Sequence, residues 1–178
     1  MTSGKSIRAA RTSEVERIRQ IERRSATRFG DTAYPDIVND EPTDAKTLAT
    51  RISDAGLIVA ESDGEPVAFL MFRPLEHGAY IEQVDVLPEH AGQRLGAALI
   101  EETARIARDR GWRALMLSTF RDIPWNAPYY RRLGFVDLAE AELSPGLREI
   151  REEHLRRGLD ESRRVFMRRP LQAPIPAP

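Results

Sequence analysis

The sequence predicts an α/β (α+β) domain, a mixed central sheet with helices packed against it, and three observations point there. Asp63-Gly64 separates two apolar runs, Leu57–Ala60 and Val67–Phe72, and both of its residues tolerate the positive φ of a tight hairpin, so these runs pair antiparallel. From Tyr80 to Thr119 the chain reads strand, amphipathic helix, strand, a passage that forms a right-handed crossover and makes two strands parallel. The segment ahead of the hairpin reads strand, helix, loop, helix.

The elements follow in order. Ser6–Ala10 is a short strand. Ser13-Glu-Val-Glu16 has the reciprocal capping pattern of a helix start, and Val15, Ile18, Ile21 and Ser25 then recur at helical spacing. Phe29–Pro42 shows no period and carries Gly30, Pro35, Asn39 and several aspartates, which makes it a long loop of the kind that often serves function. A second helix runs from about Asp44 to Ala55, with Gly56 placed to take the left-handed cap conformation. Tyr80–Leu87 is a third strand after the hairpin pair. The helix behind it turns Leu99, Ile100, Thr103, Ile106 and Ala107 inward and stops at Gly111. Ala114–Thr119, Phe135–Leu138 and Arg164–Arg168 complete the sheet, with a capped helix over Pro145–Arg157. Residues 1–169 read as a single domain, and 170–178 as a Pro-rich disordered tail.

Composition removes several classes of function. A chain of 178 residues with 41% apolar content suits one domain with one core, and a net charge of −1 offers no general field for nucleic acid or an anionic membrane. Cysteine is absent, which excludes disulfides, thiolate metal sites and a Cys acyl-enzyme, and no metal site is expected. No apolar run approaches the roughly 20 residues that span a bilayer, so the expected location is cytoplasmic, without membrane or nucleic-acid partners.

The chemistry begins at the turn after the third strand. The start of a helix presents unpaired backbone N–H groups and about half a positive charge, which suits a pyrophosphate, and Gly96 has no side chain to hold phosphates away. Val86-Leu-Pro88, this turn, and Tyr130-Arg-Arg-Leu-Gly-Phe135 together resemble the GNAT superfamily of acetyl-CoA-dependent N-acetyltransferases, whose strand-ending Val-x-Pro precedes a Gln/Arg-x-x-Gly-x-Gly/Ala turn. Counting from Val86 sets Arg94 where the family has its first Gly and Gly96 at the second, with Ala91 departing from the expected Gln or Arg. A literal match at Gln93-Arg-Leu-Gly96-Ala-Ala98 lies two residues into the helix. The count from Val86 is preferred, because strand and helix are fixed by length while a turn varies.

The resemblance covers most of the chain, from Ile7 to Met167, and implies a mostly antiparallel sheet of six to seven strands with a splayed parallel pair at the cofactor site. It implies acetyl-CoA as cosubstrate, held by backbone of Val84, Asp85 and Val86 and by Gly92, Gln93, Arg94, Leu95, Gly96 and Ala97. Asn126 caps the next short helix and, by resemblance, also contacts CoA. The thiol arm is expected between the strand of Val84–Val86 and the one starting at Ala114, with a backbone N–H polarising the thioester carbonyl. Tyr130 holds the family position beside the sulfur. Its reference pKa of about 10 lies only ~1.5 units above that of a thiol, so a positioned hydrogen bond can bridge the gap when the thiolate leaves.

An alkyl ammonium must lose a proton before it attacks, and Glu82 resembles the strand Glu that polyamine acetyltransferases of the superfamily use as base. Asp85 projects to the opposite face and is the weaker choice. His77, His90 and His154 fall in a turn, a loop and a charged helix, where surface roles are expected. The acceptor region is expected near Phe29–Glu41 and Glu140–Gly158, where acids suit a cationic amine and arginines a carboxylate. The expected activity is N-acetyl transfer to a primary amine of a small molecule, amino acid or peptide in a ternary complex. The alternatives are a protein acetyltransferase acting on Lys or an N-terminus, and a non-catalytic acyl-CoA sensor. Many relatives pair, so a homodimer belongs to the expectation.

Overall fold

The computed structural model describes residues 6–171, and the Pro-rich segment from 172 on lies outside them. Seven strands form one sheet in the order β1-β2-β3-β4-β5-β7-β6. They are β1 (Ser6–Ala9), β2 (Leu57–Ser62), β3 (Glu65–Leu75), β4 (Gly78–Val86), β5 (Ala114–Phe120), β6 (Val136–Asp137) and β7 (Arg164–Pro170). The helices are α1 (Val15–Ala26), α2 (Ala45–Ser53), α3 (Leu95–Asp109), α4 (Ala127–Arg132) and α5 (Pro145–Arg156). The pair β4 and β5 is parallel, while β1–β2, β2–β3, β5–β7 and β6–β7 are antiparallel, which is the fold class expected from the sequence.

The chain divides into two compact units, and the first comprises the residues up to Arg73 together with Glu82–Thr103. Its hairpin turns at Asp63 and Gly64 with φ of 54° and 86°, as the Asp-Gly pair requires. Ile18, Ile21, Leu48, Val59, Phe69, Leu70, Phe72 and Leu99 are fully covered. Each such side chain contributes about 1.5–3 kcal/mol by leaving water. Leu87 N–H donates to the Val67 carbonyl at 2.9 Å and ties the end of β4 to β3.

Two expectations in this unit are corrected. Ser13 does not open α1, because a short 3-10 turn over Thr12–Glu14 precedes it and the Glu14 carboxylate accepts the Arg11 N–H at 2.8 Å instead. Ala55, with φ of 52°, takes the left-handed cap after α2 in place of Gly56. Gly56 serves close approach: a Cβ there would lie 2.3 Å from the Phe72 carbonyl oxygen, and Phe72 N–H donates to the Gly56 carbonyl at 2.8 Å. The loop after α1 is also less irregular than expected, with short 3-10 turns at Thr27–Phe29 and Pro35–Asn39.

The second unit comprises Pro74–Ile81 and the residues from Ala104 on. The β4–β5 register runs from Gly78 opposite Ala114 to Ile81 opposite Leu117, and β5 pairs along its length with β7. Helix α5 packs Leu147 and Ile150 with Tyr80, Met116, Leu143 and Phe166. Its Ser144 N-cap accepts the Leu147 N–H. His154, expected at the surface, is buried, stacked on Phe166 and 2.6 Å from Glu161 through Nδ1. Strand β7 extends through Pro170, and Leu171 N–H donates to the Arg113 carbonyl at 2.8 Å, so residues placed in the tail take part in the fold. Among the described residues no helix is long and apolar enough to cross a membrane.

Candidate active site

In the first unit the site is built on the last five residues of β4, the turn that follows and the start of α3. Val84 and Val86 are half-buried and Asp85 is buried. The chain then makes a 3-10 turn over Pro88–His90 and enters α3 through Gly92 and Arg94, both left-handed, with φ of 75° and 61°. A left-handed Arg is sterically costly, and glycine relieves it. Arg94 therefore has a conformation that glycine adopts without steric cost. Its carbonyl accepts the Ala98 N–H at 3.0 Å, the first bond of α3, which leaves the N–H groups of Leu95, Gly96 and Ala97 without intrahelical acceptors. Gly92, Gln93 and Arg94 are exposed, while Leu95 and Gly96 are buried and Ala97 half-buried. The Arg24 guanidinium grips Glu89 through two bonds of 2.8 and 3.0 Å and fastens the turn to α1.

Glu82 has a firmly held environment. Arg51 of α2 donates from Nε to Oε2 at 2.6 Å and from Nη2 to Oε1 at 2.9 Å, and Arg73 Nε lies 3.3 Å from Oε1. The bond to Glu82 pushes the Arg51 guanidinium above its usual range. Both Glu82 oxygens are thus engaged by guanidinium groups, a clasp that ties α2 and β3 to β4.

The opposite face of β4 carries Asp85, as expected, in a polar group whose pairings with Ser25, Gln83, Thr43 and Glu22 the sequence did not reveal. Asp85 accepts from Ser25 Oγ and from Gln83 Nε2, the latter at 2.6 Å. Thr43 donates its N–H to Glu22 Oε2 at 3.0 Å, and its hydroxyl lies 3.1 Å from Glu22 Oε1 and 3.3 Å from Gln83 Oε1. Burial pushes the Asp85 carboxyl up, against the bonds from Ser25 and Gln83. Burial likewise raises Glu22, and the negative charge of Asp85 adds to the rise. The sequence held one signal for this group. Ser25 falls on the apolar stripe of α1, where a hydroxyl needs a buried partner.

In the second unit Asn126 occupies the N-cap position of α4 without a side-chain cap bond. Its Nδ2 instead donates to Thr119 Oγ1 of β5 at 2.6 Å, and its buried Oδ1 has no partner among the described residues. That orphaned acceptor fits an amide or hydroxyl donor of a bound ligand. The Asn126 carbonyl accepts the Tyr130 N–H at 3.0 Å, and the Tyr130 ring packs edge-on against Tyr129 and Phe135, each at 5.6 Å. Glu82, Val84–Val86 and Gly92–Ala97 thus belong to one unit, and Asn126 and Tyr130 to the other.

Residues 15–135 match the family described as Acetyltransferase (GNAT) family. A 66-residue stretch is 38% identical to thialysine N-epsilon-acetyltransferase of Bos taurus, covering 35% of this chain and 37% of that protein, so the match spans little more than a third of the relative. The fold is similar to that of PaiA N-acetyltransferase from Thermoplasma acidophilum in complex with coenzyme A, with a TM-score of 0.70, 15% identity and coverage of 94% of this chain and 99% of that one. It is also similar to the ribosomal-protein-S18-alanine N-acetyltransferase of Escherichia coli, with a TM-score of 0.64, 20% identity and coverage of 98% and 99%.

Proposed function

Because the chain belongs to the acetyltransferase (GNAT) family, we propose that it moves an acetyl group from acetyl-CoA to a primary amine of a small molecule, amino acid or peptide, by direct attack in a ternary complex. The observation that carries this reading is the left-handed Arg94 at the entry to α3, where the family turn has glycine. Free N–H groups at Leu95, Gly96 and Ala97 suit a pyrophosphate, and the Arg94 guanidinium suits a charge-assisted contact to it. Strand β4 continues to Val86, past the Ile81–Leu117 end of its parallel register, and its backbone at Val84, Asp85 and Val86 is the proposed partner of the pantetheine amides. In the second unit Asn126 is, by its place in the family motif, a further proposed CoA contact, its buried Oδ1 suited to a ligand donor.

Acetyl-CoA supplies an activated thioester. The chain's own residues hold it, polarise its carbonyl through a backbone N–H, and manage protons. Tyr130, by its place in Tyr-x-x-x-Gly-Phe, is the proposed proton donor to the departing thiolate. Glu82, expected as base, is better suited to fixing α2 and β3 to β4 through Arg51 and Arg73. A cytoplasmic location and a homodimer complete the reading, and sedimentation equilibrium tests the latter.

A screen of amines with acetyl-CoA, read as free thiol released, tests the activity. At least one acceptor raises thiol release well above the rate in water, and the absence of any such acceptor overturns the small-molecule reading. The second reading, transfer to a protein amino group, is favoured by the likeness to the S18-alanine enzyme. A mass increase of one acetyl group on candidate proteins distinguishes it.

A further inference from the structure

The first unit contains a chain of polar side chains that neither cofactor binding nor the arginine clasp uses. Glu22 and Ser25 lie three residues apart on α1, Thr43 precedes α2, and Gln83 and Asp85 flank Val84 on β4. The Gln83 amide sits between the two carboxyl groups: it donates to Asp85 Oδ2 at 2.6 Å and also hydrogen-bonds Glu22. Asp85 is 8% exposed and Ser25 2%, whereas Glu22 and Gln83 are half-buried, so the chain runs from a covered end to one that solvent reaches.

The two ends of this face differ from Glu82 in the charge of their donors. Glu82 is bound by guanidinium groups, and Glu22 by the Thr43 N–H, the Thr43 hydroxyl and the Gln83 amide, all neutral. Neutral donors stabilise a carboxylate less than a guanidinium does, so Glu22 gives up less on taking a proton. Burial and the Asp85 charge both act in the same direction. Charged groups facing this region among the described residues include Asp85 from β4, Arg28 toward Asp85, and Arg19, whose Nε donates to the Thr43 carbonyl at 3.2 Å.

We propose that Glu22, held in place by Gln83 and Asp85, takes the proton that the acceptor ammonium loses before attack, and that Glu82 does not. This rests on the N-acetyltransferase reading. The ammonium gives one proton to the Glu22 carboxylate, which passes it to water. The neutral amine nitrogen forms a bond to the thioester carbon, the carbon–sulfur bond breaks, and the sulfur takes the electron pair. The second proton that nitrogen loses balances the one sulfur receives, so the net products are amide, thiol and one proton released. Asp85 is a positioning residue in this scheme, and its negative charge keeps Glu22 basic.

The test is the pH profile of kcat/KM with the best acceptor of the amine screen, for the full chain and for Glu22→Gln, Glu22→Asp, Asp85→Asn and Glu82→Gln, each also titrated with CoA by calorimetry. In the unaltered chain an enzyme group limits the rate on the acid side. Glu22→Gln binds CoA normally, loses about 100-fold in rate and no longer shows that break, its rate following only the free amine. Asp85→Asn moves the break to lower pH, and Glu82→Gln leaves it in place. A Glu22→Gln protein that binds CoA and keeps both rate and break overturns the inference. Should Glu22→Gln fail to fold, Glu22→Asp decides: a retained break with reduced rate supports the proposal, and an unchanged rate overturns it. Absence of CoA binding in the unaltered chain instead overturns the acetyltransferase reading itself.

Discussion

Arg51 holds Glu82 side-on, with Nε to Oε2 at 2.6 Å and Nη2 to Oε1 at 2.9 Å, and so joins α2 to β4 across the first unit. Both side chains are only about one-fifth exposed, at 19% and 18%, so water screens the pair poorly. Glu82→Gln removes the charge and keeps the shape. It lowers stability by about 1–3 kcal/mol, read from denaturant midpoints. A stability equal to that of the unaltered chain would show that the pair contributes nothing to the fold.

Asp85 gives a pH dependence of opposite sign to the usual carboxylate. Burial raises its folded value above the unfolded one of about 3.9, so between the two the folded state binds more protons. Its contribution to stability is present below about pH 4 and is lost as pH rises through the raised folded value. Asp85→Asn accordingly increases stability at pH 7, and the gain disappears as pH falls to about 4. Denaturant unfolding of both proteins across that range checks it. Destabilisation at pH 7 would indicate that the Ser25 and Gln83 bonds outweigh the burial of charge.

Arg94→Gly separates conformation from charge. Relief of the left-handed strain stabilises the fold by roughly 1 kcal/mol, while loss of the guanidinium weakens CoA binding. Arg94→Lys keeps the strain and much of the affinity. Unfolding curves and CoA titrations on the same two variants measure the two effects, and a Gly variant with stronger CoA binding would contradict the assigned contact.

Tyr130→Phe retains the ring packing against Tyr129 and Phe135 and removes the phenol. CoA affinity is unchanged and kcat falls about 100-fold, as for loss of a general acid. A variant with full turnover would remove Tyr130 from the chemistry, and an unaltered chain without turnover would leave a sensor.

Much of this architecture was legible because strand, hairpin and crossover signals are local. Asp63-Gly64 fixes its turn by φ preference alone, and α3 shows a continuous apolar stripe. The turn before α3 was legible through Val86 and Pro88, which mark the end of β4 and the start of the turn. What escaped the sequence depends on partners distant along the chain. Gly56 serves a close approach by the Phe72 carbonyl, 16 positions later. The arginine clasp joins residues 51, 73 and 82, and the Glu22–Gln83–Asp85 chain joins α1 to β4, pairings that no local period encodes. His154 lies in a charged stretch, yet α5 turns it inward onto Phe166.

The most direct test of the central claim is calorimetric titration of the folded chain with coenzyme A. The structure predicts saturable binding at one site per chain, weakened by Arg94→Gly and preserved in Tyr130→Phe. A folded protein that gives no binding heat with coenzyme A at any temperature across a wide range would contradict the account.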